Sequence, residues 1–277
     1  MRRRSWLAAP FILWSAAFII IPLLLIVYFG MTDGDGAFTW SNLAAMAEVD
    51  NLKALGLALL LSLSATLICL ILAYPIAMIL AERRTSSGTL IAMLFILPMW
   101  MNFLLRTMAW QTLLEKNGVI NTLLHVLRLP SVTLIYTPSA VVLGMVYNFL
   151  PFMILPLYTV LSKIDRDVLL AARDLGAGPW QTFLRITLPL STPGMISGIT
   201  MVFVPSLTTF VITDMLGGGK VQLIGNTIEQ EFIQGSSWHV GSGLSLILMI
   251  FVLISMAFVA KYDPQQSGSL IGGGGRE

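Results

Sequence analysis

"DVLLAARDLGAGPWQTFLRITLP", residues Asp167 to Pro189, interrupts a chain that is otherwise overwhelmingly apolar. It is too polar to cross a membrane and too short to be a domain. Asp165 and Asp167 are helix-start residues, and from there Val168, Leu169, Ala172 and Leu175 recur at helical spacing until Gly176 or Gly178 supplies a stop. Pro179 then suits the first turn of a second short helix carrying Trp180, Phe183, Leu184 and Ile186, and Leu188-Pro189 turns the chain towards the next apolar run. The spacing predicts a helix, a glycine elbow and a second helix outside the membrane. The small pair Ala171-Ala172 would let a partner backbone come close. Read from the residues alone, the segment is either an amphipathic helix resting on lipid head groups or a docking surface.

The surrounding sequence is that of an integral membrane protein. Of its 277 residues 56% are hydrophobic and only 11% charged, with a mean hydropathy of +0.84, whereas soluble domains carry roughly 25% charged residues. Six stretches approach the ~20 residues that a spanning helix needs: Ala9 to Phe29, Ala54 to Leu80, Thr89 to Leu114, Ser139 to Leu161, Pro193 to Thr213 and Gly243 to Ala260. Backbone polar groups in lipid must pair within the segment, and barrel strands would read as shorter alternating segments, so the expected fold class is all-α with six transmembrane helices. "MRRRSW" followed by an apolar run lacks a small-x-small cleavage pattern before "MTDGDG" and reads as an uncleaved first helix. The single cysteine, Cys69, excludes an internal disulfide and reads as a small packing residue. A formal charge of +2 with no basic run interleaved with aromatics gives no argument for nucleic acid.

With the amino terminus inside, eleven of the sixteen lysines and arginines fall on the inner side: Arg2, Arg3, Arg4, Arg83, Arg84, Lys163, Arg166, Arg173, Arg185, Lys261 and Arg276. The bias predicts that both termini and the opening segment are cytoplasmic. No segment between spans exceeds about 30 residues, too few for a domain with its own core, so an ATPase or a ligand-capturing domain would belong to other chains. The expected organisation is a permease domain over 1–262, with the cytoplasmic loop at 162–192, and a disordered tail over 263–277.

The loop also resembles a known signature. Inner-membrane permeases of binding-protein-dependent ABC importers carry Glu-Ala-Ala, three residues, Gly, nine residues, Ile, one residue, Leu-Pro, two spans before the carboxyl terminus. Here Ala171-Ala172 is followed by "RDL", Gly176, nine residues, Ile186, Thr187 and Leu188-Pro189. Leu170 stands where the family has its acid, so the chain either supplies that charge from Asp167 or Asp174 or does without it. "LPMWMNFLLRTMAWQTLLEKNGVIN" (Leu97 to Asn121) and "TDMLGGGKVQLIGNTIEQEF" (Thr213 to Phe232) are similar to segments of the spermidine/putrescine branch. The resemblance implies a type I importer permease in the bacterial inner membrane that works with a second, homologous permease, two cytoplasmic ABC ATPase subunits and an extracytoplasmic substrate-binding protein. It implies that Asp167, Leu170, Ala171, Ala172, Asp174, Gly176, Ile186, Leu188 and Pro189 form the ATPase-coupling surface.

"GGGK" at Gly217 to Lys220 is not a phosphate loop, since Lys220 is followed by Val221 and not by Ser or Thr. It reads as an elbow into an external or re-entrant helix with Leu223, Ile224, Ile228 and Phe232 on its apolar face. His125 and His239 lie in no metal spacing and no catalytic constellation is visible, so neither metal, cofactor nor enzymatic activity is expected of the chain itself. Polar and aromatic side chains near membrane depth mark a candidate substrate path: Trp100, Asn102, Trp110, Tyr147, Asn148, Asp214, Glu229 and Glu231. Taken singly they could equally be interhelical hydrogen bonds or a solvated external face. Arg106, one turn from Asn102, would repel a polycation and is expected to turn towards an acid or a helix end. The expected function is a permease passing polyamines. The alternatives are an ion-gradient-driven secondary transporter, which would favour an internal repeat and a carboxylate central to a span, and an ABC importer permease for another small solute.

Overall fold

Long apolar runs with no water to bond their backbones close their own hydrogen bonds as helices, and the computed structural model, which describes residues 5–82, 97–233 and 237–261, is helical accordingly. Five described helices are long and apolar enough to cross a membrane: α1 (Pro10–Gly30), α2 (Val49–Glu82), α5 (Pro138–Leu161), α7 (Pro179–Thr208) and α10, whose apolar part is Trp238–Ala257. Between them lie α3 (Phe103–Leu114), α4 (Val119–Val126), α6 (Arg166–Asp174), α8 (Val211–Gly217) and α9 (Ile224–Ile233). The only β feature among the described residues is an isolated bridge, Thr32 to Phe38. Part of the expected third span, and the tail expected at 263–277, lie outside the described residues. The described part of that span is a 3-10 turn, Leu97–Trp100, followed by α3.

The backbone divides into two compact units, residues 1–56 with 224–254 and residues 57–223 with 255–277. In the first, α1 turns its side chains outward, with Phe11, Leu13 and Phe18 all largely exposed, and Gly30 is its first buried residue. The end of α1 is fastened by polar bonds that hydropathy does not show. Asn42 Nδ2 donates to the Thr32 carbonyl at 2.8 Å, and His239 Nδ1 meets the same carbonyl at 2.6 Å. Gly243 lies so close to Asn42 that a Cβ would come 2.5 Å from its carbonyl oxygen.

The second unit is built on small residues. Gly194, Gly198, Val202 and Ser206 recur every fourth residue of α7 and are buried. A Cβ on Gly194 would stand 2.9 Å from the Pro156 carbonyl oxygen of α5, and one on Gly198 2.6 Å from Met153 Sδ. Helices in lipid gain little from hydrophobicity against one another, so such close backbone approach is what holds them. Ala58, Ala65, Cys69, Ala73 and Ala77 form a comparable buried stripe on α2. Cys69 is thus a packing residue, its Sγ 3.8 Å from the Val146 carbonyl.

Two expectations are corrected here. Leu188-Pro189 does not turn the chain; the second loop helix and the fifth span are one continuous helix, α7. Pro189 lacks the N–H that the Arg185 carbonyl would accept, and the helix absorbs the loss in a π turn at Phe183–Thr187, where the Leu188 N–H reaches back to the Phe183 carbonyl. The same device precedes Pro22, at Ala16–Ile20 of α1. The fifth span also ends earlier than expected, at Thr208, because Thr209 adopts extended backbone (φ −67, ψ 139) in a Thr-Thr pair of low helix propensity. Asp214 therefore sits in the first turn of the separate helix α8.

Candidate functional site

The loop at 162–192 forms as a capped elbow. The Asp165 side chain accepts the Asp167 N–H at 3.0 Å and starts α6. The helix stops in a Schellman motif: the Gly176 N–H donates to the Arg173 carbonyl at 2.9 Å and the Ala177 N–H to the Ala172 carbonyl at 3.0 Å. Gly176 takes φ +82, with nothing within 4 Å of where a Cβ would stand. Gly178 then caps α7 and Pro179 fills its first turn, while the Gln181 side chain accepts the Gly178 N–H at 3.2 Å.

This elbow is tied to the end of α2. Arg166 Nη2 donates to the Glu82 carbonyl at 2.6 Å. The Tyr74 and Ser191 hydroxyls are 2.7 Å apart, and Phe183 packs between Tyr74 and Trp180, each ring centroid 5.4 Å away. The periodicity read from the sequence splits into two faces. Leu175 is 89% exposed and Trp180 68%, and Val168 and Leu170 are also exposed, whereas Ala172 is buried against its own chain. Ala172 is thus the C3 residue of the helix stop and offers no small surface to a partner; Ala171 is exposed. Asp167 and Asp174 are exposed on α6, and Ile186, Leu188 and Pro189 lie within α7.

The expected path residues are only partly assembled. Trp110 of α3 and Tyr147 of α5 meet edge to face, ring centroids 5.4 Å apart, and Asn148, 1% exposed, donates from Nδ2 to the Gly144 carbonyl at 2.9 Å. Pro151 has no N–H for the Tyr147 carbonyl, so that oxygen lacks its usual helical donor. Asn102 is a helix cap instead of a wall: its Oδ1 accepts the Leu104 and Leu105 N–H groups at 2.8 and 3.4 Å. Trp100 is 82% exposed in the preceding turn. Asp214 is exposed on α8, and Glu229 and Glu231 lie on α9 of the other unit. Arg106 is buried, yet its Nε and Nη1 have no hydrogen-bond partner among the described residues, so the expected turn towards an acid or a helix end is not made within these. The GGGK elbow is held by Tyr136, whose ring would meet a Cβ on Gly218 and lies 6.0 Å from Lys220 Nζ.

Residues 73–266, more than half of the sequence, match the family described as binding-protein-dependent transport system inner membrane component. The chain belongs to that family. This inner membrane component is 37% identical over 246 residues to the spermidine/putrescine transport system permease protein PotB of Escherichia coli (strain K12), covering 86% of this chain and 89% of that protein. Its fold is that of a chain in the crystal structure of a bacterial ABC transporter involved in the import of the acidic polysaccharide alginate, with a TM-score of 0.80 at 17% identity over 95% of this chain and 96% of that one. A second structure, of the bacterial alginate ABC transporter in complex with an alginate pentasaccharide-bound periplasmic protein, matches with a TM-score of 0.79 at 17% identity and the same coverage. The inner membrane component is a multi-pass membrane permease of ABC importer fold, and its family is one of transport.

Proposed function

We propose that this chain, with residues 1–262 as its permease domain, lines one half of the translocation path of a polyamine importer. A second, homologous permease supplies the other half, two cytoplasmic ATPase subunits drive the complex, one of them docking on the exposed outer face of the elbow, and an external binding protein delivers the cargo. Both termini lie in the cytoplasm. The observation that carries the cargo assignment is the identity, over most of the chain, with a permease named for spermidine and putrescine. The geometry agrees with it. A flexible polycation needs aromatic faces that attract ammonium groups without trapping them, and oxygens that replace their water; Trp110 and Tyr147, in ring contact, offer the faces, and the Tyr147 carbonyl, whose helical donor Pro151 removes, offers an oxygen. Asp214, Glu229 and Glu231 are the acids assigned to the path. The exposed Leu175 and Trp180, with Asp167 and Asp174, supply an amphipathic docking face on the elbow.

The test is uptake of labelled spermidine and putrescine by the reconstituted complex, with Asp214→Asn and Glu231→Gln compared with the unaltered chain. Loss of uptake with unchanged docking of the binding protein is the expected result. Retained uptake in both variants, or uptake of a sugar or an anion by the unaltered complex, overturns the cargo assignment.

A further inference from the structure

Behind α6, at the ends of α2, α5 and α7, is a cavity of about 470 Å³, within the roughly 300–1,000 Å³ range of small-ligand sites. Its walls combine apolar and charged groups with the hydroxyl residues Ser162, Thr182 and Thr187. Ala81, Leu161, Leu169 and Phe183 are apolar, while Arg166 and Arg173 bring two guanidinium groups and Glu82 one carboxylate. The arginines are seven residues apart on α6, two turns along one face, so both side chains serve the same opening. Arg166 is fixed at the rim by its bond to the Glu82 carbonyl. The Arg173 side chain makes no hydrogen bond or ion pair to any described residue, although it borders the cavity. Leu170 also lines it; an acid at that position would cancel the remaining positive charge, and leucine leaves the cavity both basic and greasy.

We propose that this cavity binds the head group of an anionic phospholipid, the phosphate on Arg173 and Arg166 and the glycerol and first acyl carbons on the apolar walls. The inference rests on the cytoplasmic orientation proposed above, which sets the cavity at the head-group level of the inner leaflet. Basic pockets between spanning helices on the cytoplasmic side are suited to acidic lipids, because the leaflet is negatively charged and the arginine fork matches phosphate oxygens. A soluble phosphate would use the arginines and leave the apolar wall unused. A lipid uses both. The site lies on the inner side of α6, and the exposed Leu175 and Trp180 remain open to the ATPase subunits, so lipid occupancy sets how firmly the elbow is seated when the motor engages it.

The importer complex carrying this chain is placed in nanodiscs of phosphatidylcholine with a fraction of phosphatidylglycerol, and the lipid retained through purification is counted by native mass spectrometry. Phosphatidylglycerol should be retained over phosphatidylcholine, Arg173→Gln should weaken that retention about fivefold, and Arg173→Lys should keep most of it, with the ATPase subunits bound in every case. Equal retention of both lipids, or unchanged retention in Arg173→Gln, overturns the proposal. Displacement of phosphatidylglycerol by added inorganic phosphate overturns it in favour of a free-anion site. Loss of the ATPase subunits from Arg173→Gln with lipid intact assigns the arginine to the motor interface instead. Labelling of Arg173→Cys in a Cys69→Ser background by an impermeant thiol reagent reports the orientation separately: reaction from the external side alone overturns the leaflet assignment.

Discussion

Replacing Gly176 by valine tests the elbow with least ambiguity, because the structure separates backbone strain from crowding. At φ +82 a residue with a Cβ is held in a region that L side chains rarely adopt, and no atom stands within 4 Å of that Cβ. The cost is therefore conformational, about 1–2 kcal/mol, and β-branching puts valine at the upper end. A change of that size shifts the ratio of formed to unformed elbow by about five- to thirtyfold. The bonds at risk are the two that stop α6, from Gly176 to the Arg173 carbonyl and from Ala177 to the Ala172 carbonyl. Once they open, α6 loses its fixed angle to α7. Uptake by the reconstituted complex and ATP hydrolysis stimulated by the binding protein should both fall, while membrane insertion and the melting temperature of the spanning helices stay close to those of the unaltered chain. Gly176→Asn should recover much of the loss, because asparagine tolerates the left-handed region. Unchanged uptake in the valine variant, with insertion normal, would refute the claim that this elbow transmits the work of the ATPase.

Single cysteines introduced in a Cys69→Ser background should be labelled at position 34 from outside and at position 178 from inside only; the reverse pattern removes the cytoplasmic assignment of the elbow. Gly194→Val places atoms where the Pro156 carbonyl oxygen and Val160 already stand, at 2.9 and 3.1 Å from the first added carbon. It should destabilise the α5–α7 contact by about 1–3 kcal/mol, read as a lower melting temperature of the detergent-purified complex, and an unaltered melt would show that this small-residue seam does not hold the pair.

Hydropathy located α1, α5 and the buried part of α2 to within a few residues, because a membrane demands length and apolarity above everything else. The elbow was legible for another reason: Asp165, Gly176 and Pro179 each have a narrow range of backbone roles, and all three fill them. What escaped the sequence depends on which hydrogen bonds the backbone closes, most of them within a few residues. Asn102 reads as a polar residue in a span until Leu104 and Leu105 are seen bonding to its side chain. Ala172 reads as a docking residue until its carbonyl is found closing the helix stop. Proline reads as a break, yet Pro189 is accommodated by a π turn whose signal, a hydrogen bond from Leu188 to Phe183, has no counterpart in composition. The cavity behind α6 had one sequence trace, the seven-residue spacing of Arg166 and Arg173, which gains meaning only when α2 and α5 close over it.

The continuity of α7 has a mechanical consequence. Its 30 residues from Pro179 to Thr208 rise about 45 Å at the α-helical pitch, and among them only the turn at Phe183–Thr187 departs from α geometry. An ordinary loop between elbow and span would absorb a push as local bending. A stiff rod works as a lever, so a small tilt at its foot, at Pro179, becomes a larger displacement at its far tip. The wider π turn, close to the foot, is a compliant joint, and with the backbone bonds that Pro193 and Pro205 remove further along it sets how much of a stroke reaches the far end of the helix.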